Sequence, residues 1–201
     1  MTSTALLFLQ ALTTLDAAPL GPGLPEGWEL QRVRGHAPPA FAVRDGHRLR
    51  IASDGGAGFA VYRLRESLPP GRGVLTWEWS TGTPMRQADL RRRERDDAPV
   101  RLFVAFEDGR TLFYSWGNRE RPGEHFPSWT GGGRAVVVLR NAGHADGSWY
   151  AERRDPFADY LTAFDHAPVA IVAVGVGADM DMLDGSSAAE VRHLAWEPLG
   201  N

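Results

Sequence analysis

Short stretches of alternating apolar and polar residues, each closed by a glycine- or proline-containing turn, recur along most of this 201-residue chain. About ten of them follow one another at spacings near 8–12 residues, the pattern of strands folded back and forth rather than of packed helices. The 23 glycines and 14 prolines supply the turns. Residues 74–80 alternate most cleanly: Leu75, Trp77 and Trp79 form a heavy apolar face, and Thr76, Glu78 and Ser80 form the polar one. Residues 41–43 and 49–52 flank Asp45-Gly46, a hairpin signal. Further strands are expected at 28–33, 59–64, 111–116 and 190–196, and at 134–140 with 148–153 as its partner. Residues 169–176 are continuously apolar, as in a strand covered on both faces. Gly175 and Gly177 at its end lack the third glycine and the helix of a dinucleotide fingerprint. One helix is expected over 156–164, with Asp155 as N-cap, Pro156 in the first position and a Phe157/Tyr160/Leu161/Phe164 stripe on the sheet.

Composition narrows the chemistry. There is no cysteine, so disulfides, thiolate nucleophiles and thiolate metal sites are excluded together. All 22 basic residues are arginine, which excludes a Schiff-base lysine and a phosphate loop ending in Gly-Lys-Ser/Thr. A net charge of −3 gives no general attraction to nucleic acid or anionic membrane. In the loop of residues 81–98, acids nearly cancel five arginines, so it is a solvated insertion or a functional flap rather than a nucleic-acid surface. Residues 1–20 read either as a secretory signal, with an apolar run at 5–12 and a break near Ala17-Ala18, or as an N-terminal helix. The apolar run is too short to span a membrane. The remainder, 26–199, forms a single domain.

The segment from Asp96 to Phe106 is the most informative chemically. Val100, Leu102, Val104 and Phe106 share one strand face, and Arg101, Phe103 and Ala105 share the other. A guanidinium inside such an apolar run needs a partner, and Asp96, Asp97 and Glu78 are the candidates. Pairing of the Glu78 strand with the Arg101 strand would set those two side by side. Seven tryptophans are available. Trp77 and Trp79 read as core, whereas Trp116, Trp129 and Trp149 lie near strand ends or in loops, where an indole stacks on a ligand or packs under a loop.

Four groups of residues occur in order: Asp96-Asp97 with Arg101; Tyr114-Ser115-Trp116-Gly117; Glu152-Arg153-Arg154 with Asp159-Tyr160 and Phe164; and Asp179-Met180-Asp181 with Gly185-Ser186-Ser187-Ala188. Together they resemble the bacterial family catalogued as domain of unknown function 3047, from about Trp28 onward. The resemblance implies an exported β-sandwich, periplasmic or secreted, with no established activity. The chain departs from the family pattern at Met180, Met182 and Leu183, which replace smaller polar residues.

The expected fold is therefore all-β: an antiparallel β-sandwich, jelly-roll-like and carbohydrate-binding-module-like, with one or two short helices. Glu78, Asp97, Arg101, Tyr114 and Trp116 are expected to line one cleft that takes a carbohydrate or similar polar ligand. That makes the chain a non-catalytic binding module, with no nucleic-acid partner and an oligomeric state left open. The alternatives are a glycoside hydrolase or lyase using paired carboxylates from Glu78, Asp97 and Glu152, and a structural envelope protein. No cofactor is called for. Asp179, Asp181 and Asp184 superficially resemble a calcium loop, but Leu183 occupies a ligand position and the glycine is displaced by one. The six histidines show no zinc spacing.

Overall fold

The computed structural model describes residues 10–183 and 185–199. Two seven-stranded sheets pack face to face. The first contains β1 (Gln10–Ala11), β2 (Gly21–Pro22), β4 (Ala40–Arg44), β5 (Arg48–Asp54), β7 (Gly73–Thr81), β12 (Tyr150–Arg154) and β14 (Ser186–Pro198). Its order is β12-β7-β14-β5-β4-β2, with β1 also on β14. The second contains β3 (Trp28–Arg32), β6 (Ala57–Leu68), β8 (Ala98–Phe106), β9 (Thr111–Trp116), β10 (His125–Pro127), β11 (Arg134–Arg140) and β13 (Ile171–Asp179). Its order is β10-β11-β9-β8-β13-β6-β3. Every pairing is antiparallel except β9 with β11, which run parallel with Arg134 opposite Thr111.

The apolar faces expected from alternation meet between the sheets. Leu75, Trp77 and Trp79 come from β7, and Val100, Leu102, Val104 and Phe106 from β8; Tyr114 and Trp116 of β9, expected in a cleft, join them in this core. Trp77 and Trp79 meet edge to face at 5.6 Å between centroids. Trp79 lies 5.5 Å from Trp116, and Trp77 lies 5.4 Å from Tyr114. Each such ring removes roughly 150–250 Å² from water, worth about 4–6 kcal/mol before the entropy of ordering it is counted.

Three connections differ from the sequence expectation. β7 lies in the opposite sheet from β8, and β12 pairs with β7 rather than with β11. The loop of residues 82–97 is not a solvated insertion. Ala88 and Leu90 are buried, and Leu90 packs with Ala98, Val136 and Val138 on the outside of the second sheet. The buried Glu120 carboxylate ties this loop down, accepting from the N–H groups of Leu90 and Asn118.

The helix α1 (Pro156–Phe164) forms as expected. The Asp155 carboxylate accepts from the N–H groups of Phe157 and Ala158 at 3.0 and 3.1 Å, and Asp165 ends the helix in the left-handed region at φ 52°. Phe157 and Tyr160 pack on Phe106. Leu161 departs from the expected stripe: it is 53% exposed, on the solvent side of the turn.

Near the N-terminus, β1 pairs with β14, and a single 3-10 turn (Leu15–Ala17) follows. Leu15 is 1% exposed within the main core. Residues 1–9, which hold most of the apolar run of the expected signal or helix, lie outside the described residues. Among the described residues, no helix is long and apolar enough to cross a membrane.

Candidate binding groove

β8 has one face in the core and the other on the outside of the second sheet, where Arg101, Phe103 and Ala105 project. Register decides their neighbours. Arg101 lies between Ser115 of β9 and Gly177 of β13, Phe103 between Phe113 and Gly175, and Ala105 between Thr111 and Ala173. On β6, Phe59 stands opposite Gly177.

The two glycines are required for space. A Cβ on Gly175 would come within 2.5 Å of the Phe103 ring and 2.8 Å of the Ala60 carbonyl oxygen. A Cβ on Gly177 would come within 2.6 Å of the Phe59 ring. Without those atoms the rings lie down on the sheet. Phe59, Phe103 and Phe113 then pack edge to face or tilted, with centroids 5.4–6.1 Å apart. They floor a groove of about 470 Å³, inside the range of ordinary small-ligand sites. Gln31, Val33 and Met182 also line it.

One end of the groove is charged. Arg101 is only 2% exposed, and its Nη2 donates to Asp96 Oδ1 at 2.6 Å and to the Asp96 carbonyl at 2.9 Å. Its Nη1 lies 3.4 Å from Asp179 Oδ2, and the guanidinium sits 5.9 Å from the centre of the Phe113 ring. Burial pushes the Asp179 carboxyl up to about 6; Arg101 pulls it down, while Asp181, Asp96 and Asp97 add to the rise. Burial also raises Asp96, against the pull of Arg101. Asp181 lines the same end and lies 3.4 Å from His36 Nε2. At the other end stand Thr111, Thr130 and Arg134. Arg101 and Ala105 are four residues apart on β8, so the two ends are separated by about 13 Å.

Of the residues expected in one cleft, only Arg101 lines this groove. It pairs with Asp96 rather than with Glu78 or Asp97. Asp97 is buried beside it, and its two oxygens accept from the N–H groups of Met182 and Leu183, each at 2.9 Å. It therefore holds the loop that walls the groove. Tyr114 and Trp116 are sealed between the sheets, Trp116 at 1% exposure, because they alternate with Phe113 and face inward. The Tyr114 hydroxyl donates to Asp159 at 2.7 Å, and Trp116 Nε1 donates to the Asn141 carbonyl at 3.1 Å. Glu78 belongs to the other sheet and pairs with Arg192 at 2.6 Å.

The carboxylates of the hydrolase alternative do not converge either. Glu152 stands opposite Trp77, accepts from Trp79 Nε1 at 2.8 Å and pairs with Arg140 at 2.6 Å. Glu78, on the neighbouring row of the ladder, points to the opposite face. Asp97 immediately precedes β8, a central strand of the second sheet. Of the metal candidates, Asp179 faces Arg101 and Asp181 faces His36, while Asp184 lies outside the described residues. Among the described residues, no three His, Asp or Glu side chains are grouped to hold a metal ion.

Sequence reasoning missed Phe59 and Phe113 and assigned Phe103 no role. The available signal was a phenylalanine on the outward face of an alternating strand, with a glycine on a strand that could lie beside it. Trp129, adjacent to Thr130, is 53% exposed, in contrast to Trp116.

Fold and groove together define a two-sheet β-sandwich with an aromatic-floored groove on one outer face. The chain belongs to the family described as Protein of unknown function (DUF3047), whose match covers residues 26–195. No curated protein matches it in sequence. Among solved structures it is similar to the xyloglucanase domain of NopAA, a type three effector from Sinorhizobium fredii, solved in complex with cellobiose. The two are 12% identical with a TM-score of 0.50, over 90% of this chain and 97% of that one. A family 29 carbohydrate binding module is 10% identical with a TM-score of 0.44, over 94% of this chain and 87% of the module. The likeness to the xyloglucanase domain is one of fold.

Proposed function

We propose that this chain is a non-catalytic binding module that holds an oligosaccharide in the groove on the outer face of the second sheet. The observation that carries the reading is the floor of Phe59, Phe103 and Phe113 laid over Gly175 and Gly177. Apolar aromatic surface suits the C–H faces of a sugar ring, and the charged and hydroxyl groups at the two ends suit its hydroxyls. The sandwich likeness to a domain solved with cellobiose fits this reading. Such a module would act where polysaccharide is met, at the cell envelope or outside the cell.

A glycan array on the purified chain, followed by titration of the best oligosaccharide, tests the proposal. Ala105→Trp places a large side chain in the groove without removing any packing beneath it. It should weaken binding at least tenfold while the melting temperature changes little. Phe113→Ala, at a partly exposed ring, should weaken it similarly. Binding that survives both substitutions, or an array on which no glycan is retained, would overturn the reading.

A further inference from the structure

We propose that the groove selects glycans bearing free amines, so that oligomers of glucosamine bind ahead of their N-acetylated or neutral counterparts. This rests on the reading of the groove as a sugar site and adds the substrate class. Among the described residues, the charged end holds three carboxylates, Asp96, Asp179 and Asp181, against the guanidinium of Arg101. His36 Nε2 lies 3.4 Å from Asp181, and Arg134 stands at the far end. Asp97, behind the wall, turns both oxygens to backbone N–H groups and offers the ligand nothing. Carboxylate therefore outnumbers cation in a partly desolvated pocket, where an uncompensated charge is felt more strongly than in water.

A neutral hydroxyl can hydrogen-bond to such a site and leaves its charge unchanged. An ammonium group balances it. The aromatic floor favours the same choice, since the face of a ring attracts cations, as Arg101 over Phe113 already illustrates. The polar end also has an unmet donor: the Nε–H of Arg101, which lines the groove, is buried and has no acceptor among the described residues. An amino sugar presents an ammonium and hydroxyl oxygens on neighbouring carbons, so one ligand supplies both. A divalent metal ion fits less well, because Asp96 and Asp179 face Arg101 and no three ligating side chains are grouped among the described residues.

The test is calorimetric titration of the whole chain with three hexamers that share one β-1,4 backbone: glucosamine, N-acetylglucosamine and glucose. The glucosamine hexamer should bind at least tenfold more tightly than the other two at pH 7. Its margin over the glucose hexamer should shrink with added salt. Asp181→Asn should remove most of the glucosamine hexamer's margin over the glucose hexamer. The salt series on the unmodified chain decides the matter even if that variant folds poorly. Equal binding of all three, abolished by Ala105→Trp, would overturn the amine preference and leave the sugar reading standing. Failure of all three to bind would overturn the amine preference, and binding indifferent to Ala105→Trp would overturn both.

Discussion

Replacing Arg101 by methionine keeps most of the side chain's length and removes its charge. Asp96 and Asp179 would then share a buried setting with no cation between them. Removing one member of a buried ion pair costs about 3–5 kcal/mol, because the remaining charge is left uncompensated. The pH dependence distinguishes this cause from lost packing. In the unmodified chain Asp179 is held at about 6 against an ordinary 3.8, so ionising it in the folded state costs on the order of 3 kcal/mol. A carboxyl whose pKa is raised on folding binds its proton more tightly in the folded state than in the unfolded one. Its contribution to stability therefore declines as pH rises from about 4 to about 6 and is level above that. Without Arg101 the one downward pull shared by Asp96 and Asp179 is gone, and both carboxyls move further up. The deficit of the variant should be largest above pH 7 and shrink toward pH 5, where both acids take up protons. Urea unfolding followed by tryptophan fluorescence at pH 5, 6 and 7.5 measures this. We expect a loss of about 3–5 kcal/mol at pH 7.5 and less than half of that at pH 5. A loss below about 1 kcal/mol at pH 7.5, or one equal at both ends of the range, would refute the reasoning.

Leu15→Ala should lower stability by about 2–5 kcal/mol, because a fully enclosed leucine is lost from the main core; an unchanged melting temperature would show that the N-terminal turn does not stabilise the sandwich. Asp155→Ala should cost about 1 kcal/mol through loss of two N-terminal hydrogen bonds of α1, measurable by calorimetry. Gly177→Ala would drive a methyl group against the Gly58 carbonyl and the Phe59 ring, and overpacking of this kind costs about 1–3 kcal/mol. It should also lift Phe59 from the sheet and weaken any ligand held there, visible as a changed near-ultraviolet circular dichroism signal. Wild-type spectra and stability would contradict the role assigned to that glycine.

Much of the local structure was legible in the residues alone. Strand alternation has a period of two, so it states which side chains share a face whatever the strand later packs against. It separated Val100, Leu102, Val104 and Phe106 from Arg101, Phe103 and Ala105, and the structure keeps both groups intact. Burial also followed from elementary electrostatics: an arginine inside an apolar strand was expected to be paired, and Asp96 is its partner. The helix start was equally readable, because capping is decided by the four residues around it.

Alternation does not say which face is covered, nor which sheet a strand joins. Those choices depend on residues far away in the chain. β7 pairs with β12 and β14, so Glu78 meets Arg192 on the first sheet instead of Arg101 on the second. Tyr114 and Trp116 alternate with Phe113 as the sequence requires, yet it is the first sheet, packing over them, that makes theirs the inner face. The groove itself is the clearest case. Phe59, Phe103, Gly175 and Gly177 come from three strands, and only their register lays two aromatic rings over two missing side chains. The sequence alone determined the faces of the strands, the need to pair Arg101 and the start of the helix, since these rest on neighbours a few residues apart. Tertiary structure alone decided the groove, because sheet membership and register bring together atoms that no local spacing relates.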